Sequence, residues 1–180
     1  MTAPSTDGSM MDIATAASAE VHEPDAATYN AFVEGLELTE IELVKVDGER
    51  VAAGVATQTR FDLTAGYLQD GTAICYRYDV IAHLTNDPGT ELGHAAVTVV
   101  LTTRSTAVAE AACIERFGGT SGALIVHPYL REAIASIAQR LGFPGVLLPM
   151  IKHQPDEPAV SLKEAVEVPN ADTDAQVDTT

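Results

Sequence analysis

The side chains of this 180-residue sequence that could do chemistry are spaced in ways that point away from catalysis. There is no Gly-x-x-x-x-Gly-Lys-Ser/Thr loop to cradle a phosphate, no Gly-x-Ser-x-Gly nucleophile elbow and no His-Glu-x-x-His zinc pair. His83 and His94 lie at similar distances on either side of the turn signal Asn86-Asp87-Pro88-Gly89, so they are expected to face each other across a hairpin. Such an imidazole pair can ligate a metal. On a solvated sheet face two such histidines are more often surface residues, and no metal is expected. Cys75 and Cys113 have neither metal-ligand spacing nor a disulfide framework. Cys113 falls on an apolar helical face, where a thiol behaves as a small core residue. His127 stands where a helix begins and reads as a packing residue, not a general base. Arg131 and Glu132 are adjacent and so point in different directions on a helix, each toward its own contact, with a subunit boundary as one candidate. No cofactor is implied.

The elements that position these residues follow from periodicity. From Leu124 to Ile151 the sequence runs LIVHPYLREAIASIAQRLGFPGVLLPMI. After Pro128, apolar residues recur at Leu130, Ala133, Ile134, Ile137, Ala138 and Leu141, the stripe of an amphipathic helix on a core. Pro128 suits a first helical turn. Gly142 suits the left-handed stop, Pro144 prevents resumption, and Arg140 meets the negative end of the helix dipole. Upstream, Thr72 to Thr85 alternates: Ile74, Tyr76, Tyr78, Val80, Ala82 and Leu84 on one face, polar residues on the other. That pattern describes an antiparallel strand with one solvated side. Thr90 to Arg104 returns with Ala95, Val97, Val99 and Leu101 inward. Thr39 to Val51 reads as a first strand whose phase slips near Val44, predicting a bulge. Ala52 to Gln58 reads as a crossover and Thr59 to Thr64 as a short second strand. Thr106 to Phe117 changes to helical period, and Gly118-Gly119-Thr120-Ser121-Gly122 reads as a flexible link. Ala26 to Leu38, capped by Asp25, reads as a short extra helix carrying Tyr29, Phe32, Val33 and Leu36 on one face.

The expected fold class is therefore α+β: a four-stranded antiparallel sheet followed by two helices, with disordered acidic tails. Residues 26–151 form the domain, residues 1–25 an N-terminal tail and residues 152–180 an acidic C-terminal tail with one helical turn near Leu162 to Val166. Ten Lys and Arg against 26 Asp and Glu give a net charge of -16, which repels phosphate backbones and anionic lipid. Nucleic-acid and membrane-surface binding are thereby disfavoured, and a basic protein partner fits. The first twenty residues contain acids and no Lys or Arg, unlike a signal-peptide start, which points to a reduced, cytoplasmic setting.

Pro128-Tyr129-Leu130-Arg131-Glu132, the apolar stripe, Gly142-Phe143-Pro144 and the apolar run to Pro149 resemble the C-terminal half of SecB-type chaperones. Here His127 replaces the usual aromatic before the Pro-Tyr pair. Element order agrees from about Thr39 to Ile151. The resemblance implies a homotetramer, a dimer of dimers, that binds unfolded or precursor polypeptides without ATP and keeps them competent for export or folding. It implies a client groove, with Val55, Phe61, Leu124, Ile125, Val126, Tyr129 and Phe143 as candidate lining, each equally readable as core. It also implies acids offered to a SecA ATPase, with Asp47, Glu49, Asp87 and Glu91 in roughly matching places. SecB-like chaperones of toxin–antitoxin systems resemble the arrangement with an added N-terminal helix, so a chaperone dedicated to one partner, such as an antitoxin, is the alternative. A hotdog-type thioesterase is a third reading. Its long central helix would precede most strands, whereas here the main helix comes last.

Overall fold

The computed structural model describes residues 23–87, 89–151 and 162–164. Most of both expected tails lies outside these residues. The chain runs α1 (Ala26–Glu34), β1 (Leu36–Arg50), β2 (Gln58–Asp70), β3 (Ala73–Thr85), β4 (Glu91–Ser105), α2 (Ala111–Phe117), a π-helical turn (Gly118–Gly122), α3 (Ala123–Arg140) and β5 (Leu162–Glu164). The sheet order is β1-β4-β3-β2-β5; β1 to β4 pair antiparallel with one another, and β5 runs parallel to β2. The four-stranded antiparallel sheet followed by helices is thus as the periodicity implies.

Strand alternation decides which face is covered. Ile74, Tyr76, Tyr78, Val80, Ala82 and Leu84 are all fully buried, as are Ala95, Val99 and Leu101 opposite them, with Val97 nearly so. The helices cover this face, with Val126, Leu130, Ile134 and Ile137 of α3 joining the same core. The register of β1 slips between Leu38 and Glu40 and between Leu43 and Lys45, so Thr39 and Val44 are the extra residues. The second slip is the bulge that the phase change predicts. Opposite the helices, His83 pairs with His94 in register, as the turn symmetry implies.

Several boundaries differ from the sequence reading, each for a local reason. Helix α1 stops at Glu34, not Leu38, because Gly35 closes it and Leu36 already pairs with Ser105. Asp25 does cap it, accepting from the Ala27 and Thr28 N–H groups. Its carboxyl lies below the ordinary aspartate range, chiefly through the Thr28 hydroxyl. Phe32 packs edge-on against Phe117, so α1 is docked on α2. Strand β2 continues to Asp70 because Gly71, at φ +59°, lets the chain turn straight into β3. Helix α2 starts at Ala111, not Thr106. Leu162 to Glu164 is a strand parallel to β2, not a helical turn; Ala165 and Val166 lie outside the described residues.

The largest departure is Gly118–Gly122, which is helical and joins α2 to α3 without a break. The glycines let the helical layer approach the sheet. The Tyr78 hydroxyl donates to the Gly118 carbonyl at 2.8 Å, and a Cβ on Gly122 would stand 2.5 Å from that hydroxyl. Consequently Pro128 lies inside α3 and not in a first turn. Its missing N–H leaves the Leu124 carbonyl without a helical donor. At the other end Gly142 (φ +83°) donates to Gln139 O and Phe143 to Ala138 O, the six-to-one closure that stops a helix at a left-handed residue.

Candidate functional site

The inner side chains of β2, the N-terminal half of α3 and the segment 148–151 enclose an apolar groove. Phe61 and Leu63 form one wall, Val126 and Leu130 the other, Tyr78 the floor, and Leu148 to Ile151 the rim. The cavity measures about 190 Å³. Its rim is held by two side chains of α3. Arg131 Nη1 donates to the Leu148 carbonyl at 2.8 Å, and His127 Nε2 lies 2.8 Å from the Pro149 carbonyl. A carbonyl only accepts, so the His127 proton on that bond sits on Nε2. His127 is buried, which agrees with a packing role. Arg131 makes its contact within the chain, where a subunit boundary was a candidate.

This lining can bury apolar side chains and do little else. Its polar groups, the His127 ring and the Tyr78 phenol, already have partners on the backbone. Burial pushes the Tyr78 phenol above the ordinary tyrosine range. Cys113 is buried and its thiol is pushed up, first by burial and then by Glu110, which disfavours the thiolate. Among the described residues no group of three or more His, Cys, Asp or Glu is placed to hold a metal ion. His83 lies across from His94, and its Nε2 is 3.1 Å from Asp62 Oδ2.

A second, wider groove of about 420 Å³ runs between β1 and the opposite flank of α3. Leu43 and Val46 meet Tyr129, Ala133 and Ile137 there, with Glu132 and Arg140 at its border. β1 ends the sheet on this side, and Leu38, Leu43, Val44 and Val46 are each about half exposed.

The seven candidate groove residues do not converge. Phe61 and Val126 line the first groove and Tyr129 the second. Leu124 is exposed and Ile125 half-buried on α3, and neither lines either cavity. Val55 is exposed on the connection between β1 and β2. Phe143 is 2% exposed, packed with Leu84, Leu92 and Ala138, which makes it core. Of the lining, Leu63, Tyr78, Ala123, His127, Leu130 and the rim residues Leu148 to Ile151 were not among the candidates. The signal for the rim was the apolar run Val146 to Ile151. Of the acids, Asp47, Glu49, Asp87 and Glu91 are all exposed. Glu49 pairs in register with His94, three residues from Glu91, so they share the end of the sheet at the β3–β4 turn.

No protein-family model and no curated protein matches the sequence. The solved structures do define its fold, which is that of SecB-like chaperones. The chain is similar to the Mycobacterium tuberculosis SecB-like chaperone in complex with a ChAD peptide from the HigA1 antitoxin. The TM-score is 0.60 at 14% identity, over 71% of this chain and 99% of that one. Among the described residues no helix is long and apolar enough to cross a membrane.

Proposed function

We propose that this protein is a chaperone that holds extended, apolar segments of other polypeptides in the groove between β2, α3 and residues 148–151, without nucleotide. The observation that carries the reading is the groove itself: an open apolar trough in which, among the described residues, the polar lining side chains His127 and Tyr78 each bind a backbone carbonyl. Removing apolar client surface from water supplies the affinity, and many such contacts along one unfolded chain add through avidity. The antitoxin peptide in the mycobacterial complex favours a narrower form, a chaperone dedicated to one partner such as an antitoxin.

Assembly and handover belong to the same proposal. The half-exposed apolar residues of edge strand β1, beside Tyr129, support association of copies toward a homotetramer built as a dimer of dimers. The acids Asp47, Glu49, Asp87 and Glu91 would face a basic partner such as a SecA ATPase. The cytoplasm is the expected setting.

The test is a groove variant in which nothing deeply buried is touched. Phe61 is half-buried and Met150 is 71% exposed, so Phe61→Ser with Met150→Ser should leave the fold intact. Affinity for a reduced and alkylated, permanently unfolded protein should fall about tenfold, the scale of two lost apolar contacts. Unchanged affinity in a folded double variant would exclude this groove.

A further inference from the structure

We propose that the β2 edge from Phe61 to Tyr67 is a strand-addition site for an extended polypeptide running parallel to β2, and that the chain's own Leu162–Glu164 is its resident occupant. That the competing occupant is a client segment rests on the holding function above.

Three observations carry the proposal. First, β2 is flanked by β3 on one side, and on the other, among the described residues, β5 pairs with Ala65, Gly66 and Tyr67. Second, Leu162 is 8% exposed although it belongs to a three-residue edge strand. Its side chain has a formed seat: a Cβ on Gly118 would collide with Leu162 Cδ2 and stand 2.7 Å from the Tyr76 ring. Glycine at this helical position therefore makes room for a side chain from the short edge strand β5. Third, the seat continues the groove. Phe61, Leu63, Ala65 and Tyr67 alternate on one face of β2, Phe61 and Leu63 line the cavity, and Leu162 lies opposite Ala65.

The register then specifies what is recognised. In a parallel strand placed as β5 is, the residues opposite Leu63 and Phe61 come two and four positions before the one in the Leu162 seat. Their side chains face the cavity. The site thus selects segments with apolar residues at alternate positions, while backbone pairing tolerates any sequence between them. A three-residue strand on its own tether holds such a site by effective concentration, not by strong pairing, and can be displaced by a longer segment.

The experiment uses the full chain with Leu162→Asp, which removes the apolar anchor of β5. One probe is a labelled peptide copying residues 158–168, the other a reduced and alkylated unfolded protein. The variant should bind the peptide about tenfold more tightly than the wild type, whose site is filled in cis, and should also gain affinity for the unfolded protein. A second variant, Gly66→Cys with Lys163→Cys, joins register partners; oxidation should lower both affinities and a reductant should restore them. Peptide affinity unchanged in Leu162→Asp, with an unaltered unfolding transition, would overturn the proposal. A peptide response as expected without any binding of unfolded protein would uphold the strand site and overturn the holding function instead.

Discussion

Phe143→Ala should lower the stability of the fold by about 3–5 kcal/mol, the cost of emptying a buried aromatic site. The ring fills a cluster with Leu84, Leu92 and Ala138, and the Arg50 guanidinium lies 4.8 Å from its centroid. Arg50 also donates to the Leu141 carbonyl at 2.8 Å and contacts the carbonyls of Ala52 and Gly54. Loss of the ring therefore loosens the end of α3 and the start of the β1–β2 connection together. Phe143 N–H closes the helix on Ala138 O, so the residue stands where backbone geometry and core packing coincide. Denaturant unfolding followed by circular dichroism measures the effect. A loss well under 1 kcal/mol, against the cavity cost quoted above, would mean that the ring is not core after all. Because the ring is distant in role from the groove, its removal should act on stability, and client affinity of the folded fraction should hold.

Gly122→Ala should also destabilise, although alanine is normally the better helix former by about 1 kcal/mol. The added Cβ would stand 2.5 Å from the Tyr78 hydroxyl, which is itself committed to the Gly118 carbonyl. Either the phenol moves and leaves its buried hydroxyl unpaired, while the Gly118 carbonyl keeps the Ala123 N–H, or the helical layer lifts from the sheet. Overpacking of this kind costs about 1–3 kcal/mol. Tyr78→Phe removes the obstructing oxygen and should cost about 0.5–1.5 kcal/mol alone, the net worth of one hydrogen bond, because the Gly118 carbonyl keeps the Ala123 N–H. Combined, the two changes should cost clearly less than their sum, because the second relieves the clash made by the first. Strict additivity in that cycle would contradict the close approach of Gly122 to Tyr78.

These two sites show where the sequence was legible. Strands β3 and β4 were readable because a strict period of two over a dozen residues admits one face assignment, and every inward residue named from the pattern is buried. The bulge at Val44 was readable for the same reason: a lost phase has to go somewhere. The glycine run was misread because glycine signals flexibility by default, while here it permits contact between a helical turn and Tyr76 and Tyr78. The partners of that contact are some 40 residues away, beyond any local pattern. The end of β2 was marked by Asp70-Gly71, a hairpin signal, but Ala65-Gly66 lacks the bulky alternation that would have carried the strand that far. Strand β5 had no signal, since a three-residue parallel pairing is defined by its partner.

The groove was only half legible for a related reason. Apolar type selected Phe61, Val126, Tyr129 and Phe143 alike, yet tertiary packing distributes them over two grooves and the core. Leu63 and the rim at 148–151 enter because Arg131 and His127 fold that segment back over α3. His127, read as a packing residue, and Arg131, read as making a contact of its own, thus define one border of the candidate site.

The most direct test of the holding function is light scattering from an unrelated unfolded protein as it aggregates, with and without this one and with no nucleotide present. The account predicts suppression at near-stoichiometric amounts by the wild type and much weaker suppression by Phe61→Ser with Met150→Ser. Aggregation that proceeds unchanged in the presence of excess, fully folded wild-type protein would contradict it.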